Sequence, residues 1–325
     1  MTSPASPAVT VIVPGYDVAD YAEEALASLR AQTFASWVAV LVDDASTDAT
    51  GAIFDAAAAL DPRFRVVHHP ERRGLSAARN TGLDLVETPF LGFLDADDRF
   101  TPHALEKLVG TLVASGSDLA VGAYVRLRPD ALGGYTPGTV QPWVAASTEP
   151  ARTATTLADH PEASGNIVAW SKVSRTALWH HAALRFPVGR AYEDQIIAQQ
   201  LYTRACSFDV IPDVVVEWRE RADGSSITQQ KRELAVMRDY IEALSGGIAV
   251  LDAAGRFAAA SARVRLILAM DLPPLIELGR DHPDPQYRRD LGLFARTMWD
   301  RADVLTREGL TDVAVAAARD AARWH

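Results

Sequence analysis

Four short apolar runs alternate with three helical segments over the first hundred residues of the chain. The runs cover residues 9–13, 37–42, 64–68 and 89–94, and most of their residues are β-branched or bulky and apolar. The segments between them carry apolar residues at helical spacing, and the connections are short. This alternation predicts a mostly parallel, Rossmann-like α/β sheet of three layers, which binds its ligands at the carboxyl ends of the strands.

Polar loops follow three of these strands, with the sequences PGYD (14–17), DDAS (43–46) and DADD (95–98). Parallel topology predicts that the three loops meet at one edge of the sheet. Asp95 and Asp97 would leave the same face of an extended backbone, where their charges repel. A hard divalent cation such as Mg²⁺ or Mn²⁺ relieves that repulsion, so a metal–nucleotide site is one interpretation. A solvated acidic turn that caps the next helix is the other.

The composition excludes several classes of protein. The chain has 325 residues, is 48% hydrophobic and carries a net charge of −10, which argues against a nucleic-acid binder. Its single cysteine, Cys206, excludes an internal disulfide and a thiolate metal cluster, and apolar neighbours predict a packed side chain. The pattern of a signal peptide is lacking, as is an apolar run of membrane-spanning length. We therefore expect a cytoplasmic protein that contacts at most the inner face of the cell membrane.

The pattern is less regular beyond residue 101. The predicted elements are a helix, a strand, a flexible loop over the site and a pair of strands, at residues 105–115, 118–127, 129–150 and 210–217. The last hundred residues are alanine-rich and helical, without a cluster of catalytic residue types. We expect an α/β catalytic domain at residues 1–228 and an α-helical domain at residues 229–325.

Five motifs in the first hundred residues resemble those of the family 2 glycosyltransferases, which have the GT-A fold. They are VIVPGY (11–16), QTF (32–34), VDDASTD (42–48), GLSAARNTG (74–82) and FLDADD (93–98). Three weaker motifs resemble a subgroup that decorates bacterial cell-surface polymers, namely WSK (170–172), YEDQ (192–195) and RERADGSSIT (219–228). The resemblance covers residues 9–228 and leaves the helical segment unexplained.

The resemblance implies transfer of a hexosyl or N-acetylhexosaminyl group from a UDP-sugar to an acceptor hydroxyl, with inversion at the anomeric carbon. Pro14 and Tyr16 would contact the nucleobase, and Asp44 would accept a hydrogen bond from the uracil ring nitrogen. Asp95 suits the ribose or a water beside the metal. Asp97 would hold Mn²⁺ or Mg²⁺ on the diphosphate, where the cation neutralises charge on the leaving UDP.

An inverting transfer also needs a base, for which Asp194 is the candidate and Glu193 the alternative. Both lie at the start of a predicted helix, whose macrodipole should keep the base ionised, although both could simply cap that helix. Arg79 could bind phosphate or uracil, or serve packing alone. Arg221 and Ser225 lie in a loop that could close over the diphosphate or stay solvated.

Two departures from the family pattern concern local structure and the metal. Asp17 occupies a position where the family often has Asn, which changes the bonding of the opening turn. A His that helps to bind metal in some relatives has no clear counterpart near Arg219, so the metal would rest on Asp97, diphosphate and water. Lys172 could meet an anionic acceptor or be solvated.

Two other functions compete with this interpretation. One is a sugar nucleotidyltransferase, which would need a glycine-rich basic loop after the first strand. The other is a silent scaffold or binding subunit acting through residues 229–325. The acceptor could be a cell-surface glycan, a polymer or a small molecule. The helical segment could form homo-oligomers, dock on a membrane or bind the acceptor, and its amphipathic helices without a strongly basic face favour oligomerisation.

Overall fold

The computed structural model describes residues 7–131, 133–222 and 230–324. The strands are β1 (Val9–Gly15), β2 (Trp37–Asp43), β3 (Phe64–His68), β4 (Phe90–Phe93), β5 (Arg99–Phe100), β6 (Leu119–Pro129), β7 (Tyr135–Pro137), β8 (Arg152–Thr155), β9 (Lys172–Arg175) and β10 (Phe208–Arg219). They form one sheet in the order β3-β2-β1-β4-β9-β6-β10-β5, with β7 paired to β6 and β8 to β10.

The helices are α1 (Ala19–Arg30), α2 (Thr50–Leu60), α3 (Leu75–Leu83), α4 (Ala104–Ser115), α5 (Pro142–Thr148), α6 (Thr176–His181), α7 (Asp194–Arg204), α8 (Leu234–Ala253), α9 (Phe257–Leu266), α10 (Leu272–Arg280), α11 (Pro285–Arg301), α12 (Val304–Glu308) and α13 (Asp312–Ala321). A 3₁₀ turn covers Pro161–Gly165, and a π-helical turn at Ile267–Asp271 joins α9 to α10. None of the helices in the described ranges is long and apolar enough to cross a membrane.

The predicted parallel arrangement is confirmed for the first four strands. Strand β1 pairs in parallel with β2 and β4, and β2 with β3. Every residue of β1 is buried, as expected for a strand covered by helices on both faces. The sheet becomes mixed at β9, which runs antiparallel to both β4 and β6. Because of that reversal, the start of β9 and the ends of β6 and β10 lie at the same edge as the carboxyl end of β4.

Three local predictions were wrong. Strand β10 is continuous, because register shifts between Ile211 and Val216 absorb Pro212 without ending the strand. The predicted loop at residues 129–150 contains β7, which adds to the edge of β6, and helix α5. Cys206 is exposed rather than packed.

The C-terminal helices pack directly on the α/β part of the chain. Helix α8 lies along α7, and α9 packs against the 3₁₀ turn Pro161–Gly165. Buried side chains on α8, including Met237, Tyr240 and Leu244, join the same hydrophobic core as the sheet. The proposed boundary at residue 228 falls among residues 223–229, outside the described ranges.

Close packing of α3 on β1 at Gly82 can be tested by adding one methyl group. A Cβ at Gly82 would overlap the Ile12 side chain, whereas one at Gly110 on α4 would meet nothing within 4 Å. We expect Gly82→Ala to lower the free energy of unfolding by about 1–3 kcal/mol, the usual cost of overpacking. Gly110→Ala should raise it by about 0.5–1 kcal/mol, because alanine favours the helix. Urea denaturation measures both, and equal effects of the two changes would contradict the packing argument.

Candidate active site

The polar loops after β1 and β2 do meet, and hydrogen bonds join them. Asp17 accepts hydrogen bonds from the backbone N–H of Thr47 (2.7 Å) and of Asp48 (3.3 Å). These bonds, that from Thr47 above all, hold the pKa of Asp17 below its ordinary value. Asp17 and Ala45 have φ angles of 48° and 60°, which are strained for residues other than glycine. The acid at the family's Asn position thus fixes one loop to the other.

The acidic loop after β4 divides its carboxylates between two arginines. The extended backbone ends before Asp95, and the N–H of Asp98 closes a turn on the Asp95 carbonyl at 2.9 Å. Asp95 accepts a hydrogen bond from Arg79 Nη2 at 2.6 Å. Asp97 accepts two from Arg221, at 2.7 Å from Nη2 and 2.9 Å from Nε. The expectation that both carboxylates leave one extended face is therefore replaced by a turn, in which each has its own cation.

Asp98 and Arg219 form a latch that the sequence did not reveal. The backbone N–H of Arg219, at the end of β10, donates to Asp98 Oδ1 at 2.7 Å, and its Nε donates to the Asp97 carbonyl at 2.7 Å. Burial, reinforced by the charges of Asp97 and Asp95, raises the pKa of Asp98 well above its ordinary value. In the sequence, Asp98 stands out only as part of a run of three acids. No local pattern predicts its contact with Arg219, which lies 121 residues away.

Arg79 is buried and bridges two acidic segments. Its guanidinium binds Asp95 at 2.6 Å and also forms an ion pair with Glu193. Its side chain is only 3% exposed, so the charge depends on these two carboxylates for compensation. Within the described residues its Nε has no hydrogen-bond partner. Arg79 therefore does more than pack, because it brings the loop after β4 to the start of α7.

Glu193 and Asp194 have different environments although they are neighbours in sequence. Glu193 is the residue before α7, makes no capping hydrogen bond and is held by Arg79. Asp194 lies on the wall of a cavity. Burial, reinforced by the charges of Glu193 and Asp95 and opposed by Arg79 and Lys172, raises the pKa of Asp194 to about 7. The expectation that the helix macrodipole keeps this acid ionised was wrong, because burial and like charge outweigh it.

Lys172 is neither solvated nor exposed to a ligand, contrary to both predicted alternatives. It lies at the start of β9, is 3% exposed, and donates hydrogen bonds to Asn166 Oδ1 (2.7 Å) and the Val168 carbonyl (2.6 Å). Burial lowers its pKa to about 7, and the charge of Asp194 opposes that shift. Lys172 thus supports the wall behind Asp194.

The predicted nucleobase residues lie at the carboxyl ends of β1 and β2. Asp44 is buried and accepts hydrogen bonds from the backbone N–H groups of Arg73 (2.9 Å) and Gly74 (2.7 Å), and shares one with His69 (2.6 Å). These bonds fix the loop that leads into α3. Since Asp44 Oδ2 carries only one of them, it keeps capacity for a further donor.

Tyr16 and Pro14 occupy the same edge of the sheet. Pro14 is buried in β1, paired with Val42 of β2. Tyr16 is partly exposed, and the Arg72 guanidinium lies over its ring at 3.9 Å from the centroid. One face of the Tyr16 ring, which we expect to contact a base, is thus in contact with a cation. Ser225 lies outside the described residues.

A cavity of about 430 Å³ opens beside these residues. Four of the predicted site residues line it, namely Arg79, Asp95, Glu193 and Asp194, together with aromatic residues Tyr124, Trp143, Trp170, Tyr192, Trp218 and Tyr240. Its far wall comes from the C-terminal helices and includes Lys231, Arg263 and Asp271. Pro14, Tyr16, Asp44, Asp97 and Arg221 do not line it. The predicted nucleobase residues therefore lie at the strand ends, outside the cavity that has Asp194 on its wall.

Among the described residues, no group of three or more His, Cys, Asp or Glu side chains could hold a metal ion. The oxygen donors available at the acidic loop are carboxylates, which suit Mg²⁺ or Mn²⁺. Such ions often bind through one or two carboxylates and complete their coordination with substrate phosphate and water. Asp97 fits that pattern, because burial raises its pKa and a nearby cation would offset the cost of its charge.

Comparisons with known sequences identify a transferase family. The family model described as Glycosyl transferase family 2 matches residues 10–181. Glycosyltransferase GlyA of Streptococcus pneumoniae is 32% identical over 196 residues, covering 60% of this chain and 28% of GlyA. Putative teichuronic acid biosynthesis glycosyltransferase TuaG of Bacillus subtilis is 38% identical over 124 residues, covering 38% of this chain and 49% of TuaG. The matched part thus spans less than half the length of either relative.

Comparisons with solved structures confirm the fold. The crystal structure of S. aureus TarS 1-349 in complex with UDP-GlcNAc matches with a TM-score of 0.73 and 20% identity, covering 97% of this chain and 89% of that one. Mannosyltransferase PcManGT from Pyrobaculum calidifontis, in complex with GDP-Man and Mn²⁺, matches with a TM-score of 0.57 and 18% identity, covering 98% and 87%. The GT-A fold with C-terminal helices is therefore confirmed.

The raised pKa of Asp194 predicts a pH-dependent effect on stability. Its folded pKa of about 7 lies above the ordinary value of 3.8, so the ionised carboxylate destabilises the folded state at high pH and the cost fades as the pH falls toward 4. We expect Asp194→Asn to raise the free energy of unfolding by on the order of 2 kcal/mol at pH 8. The gain should shrink at pH 4. Exposed Asp281→Asn is the control, and denaturation curves that show no pH-dependent difference between the two variants would contradict the shift.

Proposed function

This chain belongs to glycosyl transferase family 2, and we propose on that basis that it transfers a sugar from a UDP-sugar to an acceptor hydroxyl with inversion at the anomeric carbon. The observation that carries the proposal is Asp194, an acid with a pKa of about 7 on the wall of a ligand-sized cavity. A general base works best when its pKa lies near the operating pH. Asp95 and Arg79 line the same cavity, and we place the diphosphate on their side of it.

In the proposed reaction, Asp194 takes the proton of the acceptor hydroxyl. The hydroxyl oxygen forms a bond to the anomeric carbon from the face opposite the nucleotide, and the bond between that carbon and the diphosphate oxygen breaks. UDP leaves with the electron pair. Glu193 is less suited to accept the proton, because its carboxylate is already bound to buried Arg79.

The donor nucleotide would bind along the carboxyl ends of β1 and β2. Pro14 and Tyr16 would contact the base. Asp44 would accept a hydrogen bond from the uracil N–H through Oδ2, which carries only one hydrogen bond within the described residues. Arg72 would then leave the Tyr16 ring or cover the other face of the base. Arg79, Arg221 and Ser225 would bind the diphosphate, since guanidinium groups and hydroxyls match phosphate oxygens.

A divalent cation, Mn²⁺ or Mg²⁺, would be held by Asp97, with Asp95 next to the ribose or a metal-bound water. When bound, the cation neutralises negative charge on the diphosphate. Asp97 is now paired with Arg221 at 2.7 Å, so binding of the cation would release that guanidinium. Arg221 is then placed to contact phosphate.

The broader assignments follow from the family and the relatives. We propose a catalytic domain at residues 1–228 and a helical domain at 229–325, and a cytoplasmic enzyme of cell-wall or cell-surface polymer synthesis. TuaG is described as a putative teichuronic acid biosynthesis enzyme, and TarS was solved with UDP-GlcNAc, so both hexosyl and N-acetylhexosaminyl donors suit a first screen. Oligomerisation or membrane contact would be functions of the helical segment.

Calorimetric titration of UDP, GDP, CDP and dTDP tests the donor site. We expect UDP to bind most tightly in the presence of Mn²⁺, because Asp44 can only accept hydrogen bonds when ionised and uracil offers a ring N–H. Chelator or Asp97→Asn should weaken UDP binding by about tenfold or more, corresponding to loss of a charge contact. A preference for another nucleotide would contradict the role of Asp44, and no nucleotide binding would contradict the transferase.

Release of UDP from a panel of UDP-sugars, with water or added sugars as acceptor, tests the base. We expect Asp194→Asn to keep wild-type affinity for UDP and to lower turnover by about 10²–10⁴-fold, the usual contribution of a general base. Wild-type turnover should rise with pH through about 7, as Asp194 ionises. Glu193→Gln should instead weaken UDP binding, because it removes one of the two carboxylates that hold Arg79 in position for the diphosphate. Unchanged turnover in Asp194→Asn would make the base assignment wrong.

A further inference from the structure

The end of the cavity away from Asp95 is built by the C-terminal helices. Lys231 precedes α8, Tyr240 lies on α8, Arg263 lies on α9, and Asp271 ends the π-helical turn. A π-helical turn is rare and often marks a functional position. These residues share one continuous cavity with Asp194, so a molecule whose hydroxyl reaches Asp194 extends toward them.

Lys231 is held at this end by two aromatic rings. Its ammonium lies 3.7 Å from the centroid of the Tyr240 ring and 5.5 Å from that of Tyr192, and the two rings are 4.4 Å apart. Tyr192 has a φ of 60°, a left-handed conformation that is strained for a residue with a side chain. A residue in a strained conformation thus carries one of the two rings near this ammonium.

Lys231 has no anionic partner among the described residues. No hydrogen bond or ion pair reaches its ammonium there, and burial lowers its pKa below the ordinary value. Of nearby acids, Asp271 is the one whose charge acts on it, and Asp271 is already engaged. Its Oδ1 accepts a hydrogen bond from the Tyr240 hydroxyl at 2.6 Å, and its Oδ2 forms an ion pair with Arg263 Nη2 at 3.1 Å without a hydrogen bond among the described residues.

The two arginines at this end of the cavity, unlike Lys231, have acidic partners in the part of the chain that the structure describes. Arg126 forms an ion pair with Glu220, and Arg263 donates to Gln195 at 3.1 Å in addition to its pair with Asp271. Arg126 and Arg263 both repel the charge of Lys231. With each of these arginines matched to an acid, Lys231 is the cation at this end of the cavity that lacks an acidic partner among the described residues.

We propose that the acceptor is anionic and that its phosphate or carboxylate group binds the Lys231 ammonium while its hydroxyl lies at Asp194. This inference rests on the proposed transferase function and specifies its acceptor class. An anion supplies the counter-charge that Lys231 lacks, and a partly desolvated ammonium gains more from an ion pair than a fully hydrated one. A cavity of about 430 Å³ is within the usual range of small-ligand sites.

Binding of four small probes to the UDP-saturated enzyme tests the proposal. Saturating UDP first keeps the probes out of the diphosphate site. The anionic probes are glycerol 1-phosphate and glucuronic acid, and the neutral ones are glycerol and glucose. We expect at least one anion to bind about tenfold or more tightly than its neutral counterpart. Preference for glycerol 1-phosphate would indicate a phosphate-bearing acceptor, and preference for glucuronic acid a carboxylate.

Three lysine variants locate the effect, since the chain has only the lysines at positions 107, 172 and 231. Lys231→Met keeps much of the side-chain stem but removes the charge, and should lower the affinity for the anion by about tenfold or more. Lys231→Arg should restore most of it. Lys107→Met, at an exposed position on α4, is the matched control and should bind as wild type.

UDP titration separates failure of this inference from failure of the proposed function. If the variants and wild type bind UDP equally and the anions bind no better than the neutral probes, the anionic acceptor is wrong while the transferase stands. Equal affinity of Lys231→Met and wild type for the anion would likewise show that the anionic-acceptor inference is wrong while the transferase stands. If wild type does not bind UDP, the proposed function itself is wrong. If Lys231→Met fails to fold, the binding assay on the wild-type enzyme still tests the inference. Anions that bind wild type no more tightly than the neutral probes would overturn it.

Discussion

The ion pairs of buried Arg79 hold the active site together. Arg79 comes from α3, Asp95 from the loop after β4, and Glu193 from the segment before α7, so one guanidinium ties three elements of the α/β part to one another. A planar guanidinium can serve two carboxylates in different directions at once, which the point charge of a lysine ammonium does less well. Removal of either acid would leave Arg79 with only one of its two buried ion pairs, and the loss of a buried ion pair is costly.

This anchoring has a consequence for the neighbouring helices. Since α7 begins at Asp194, fixing Glu193 also fixes the first turn of α7, and α8 packs along α7. The C-terminal helices are thus positioned against the cavity through the same segment that carries the candidate base. This packing of α8 along α7 accounts for the position of Lys231 and Tyr240 on the far wall of the cavity.

The sequence was sufficient to predict the four parallel strands β1–β4 and the position of the acidic residues that follow β4. Strands buried on both faces leave continuous apolar runs, as in β1, and acids at their ends stand out against those runs. Arg79 was found by its motif, but its partner Glu193 is 114 residues away, and no local pattern encodes that contact. Likewise β7 and the unbroken β10 form because β6 offers each of them a partner, which outweighs local turn propensity.

The charge environment of each acid at the site likewise depends on residues that are distant in the sequence. A carboxylate at a helix N-terminus is stabilised by the macrodipole when it is exposed, but Asp194 is placed among other carboxylates in a partly enclosed cavity. Asp95 and Asp97 each have an arginine, Asp98 has the latch at Arg219, and Glu193 has Arg79.

Within the described residues Asp194 has neither an ion pair nor a backbone hydrogen bond like that of Asp98, and its pKa is raised to about 7. When neighbouring carboxyls are pushed to different pKa values by their surroundings, the difference separates their roles. The acids that are paired with arginines join loops and helices to one another, whereas Asp194, which lacks such a partner among the described residues, can exchange a proton near neutral pH. The arrangement of the arginines thus distinguishes the proposed base, Asp194, from neighbouring Glu193, which the sequence offered as its alternative.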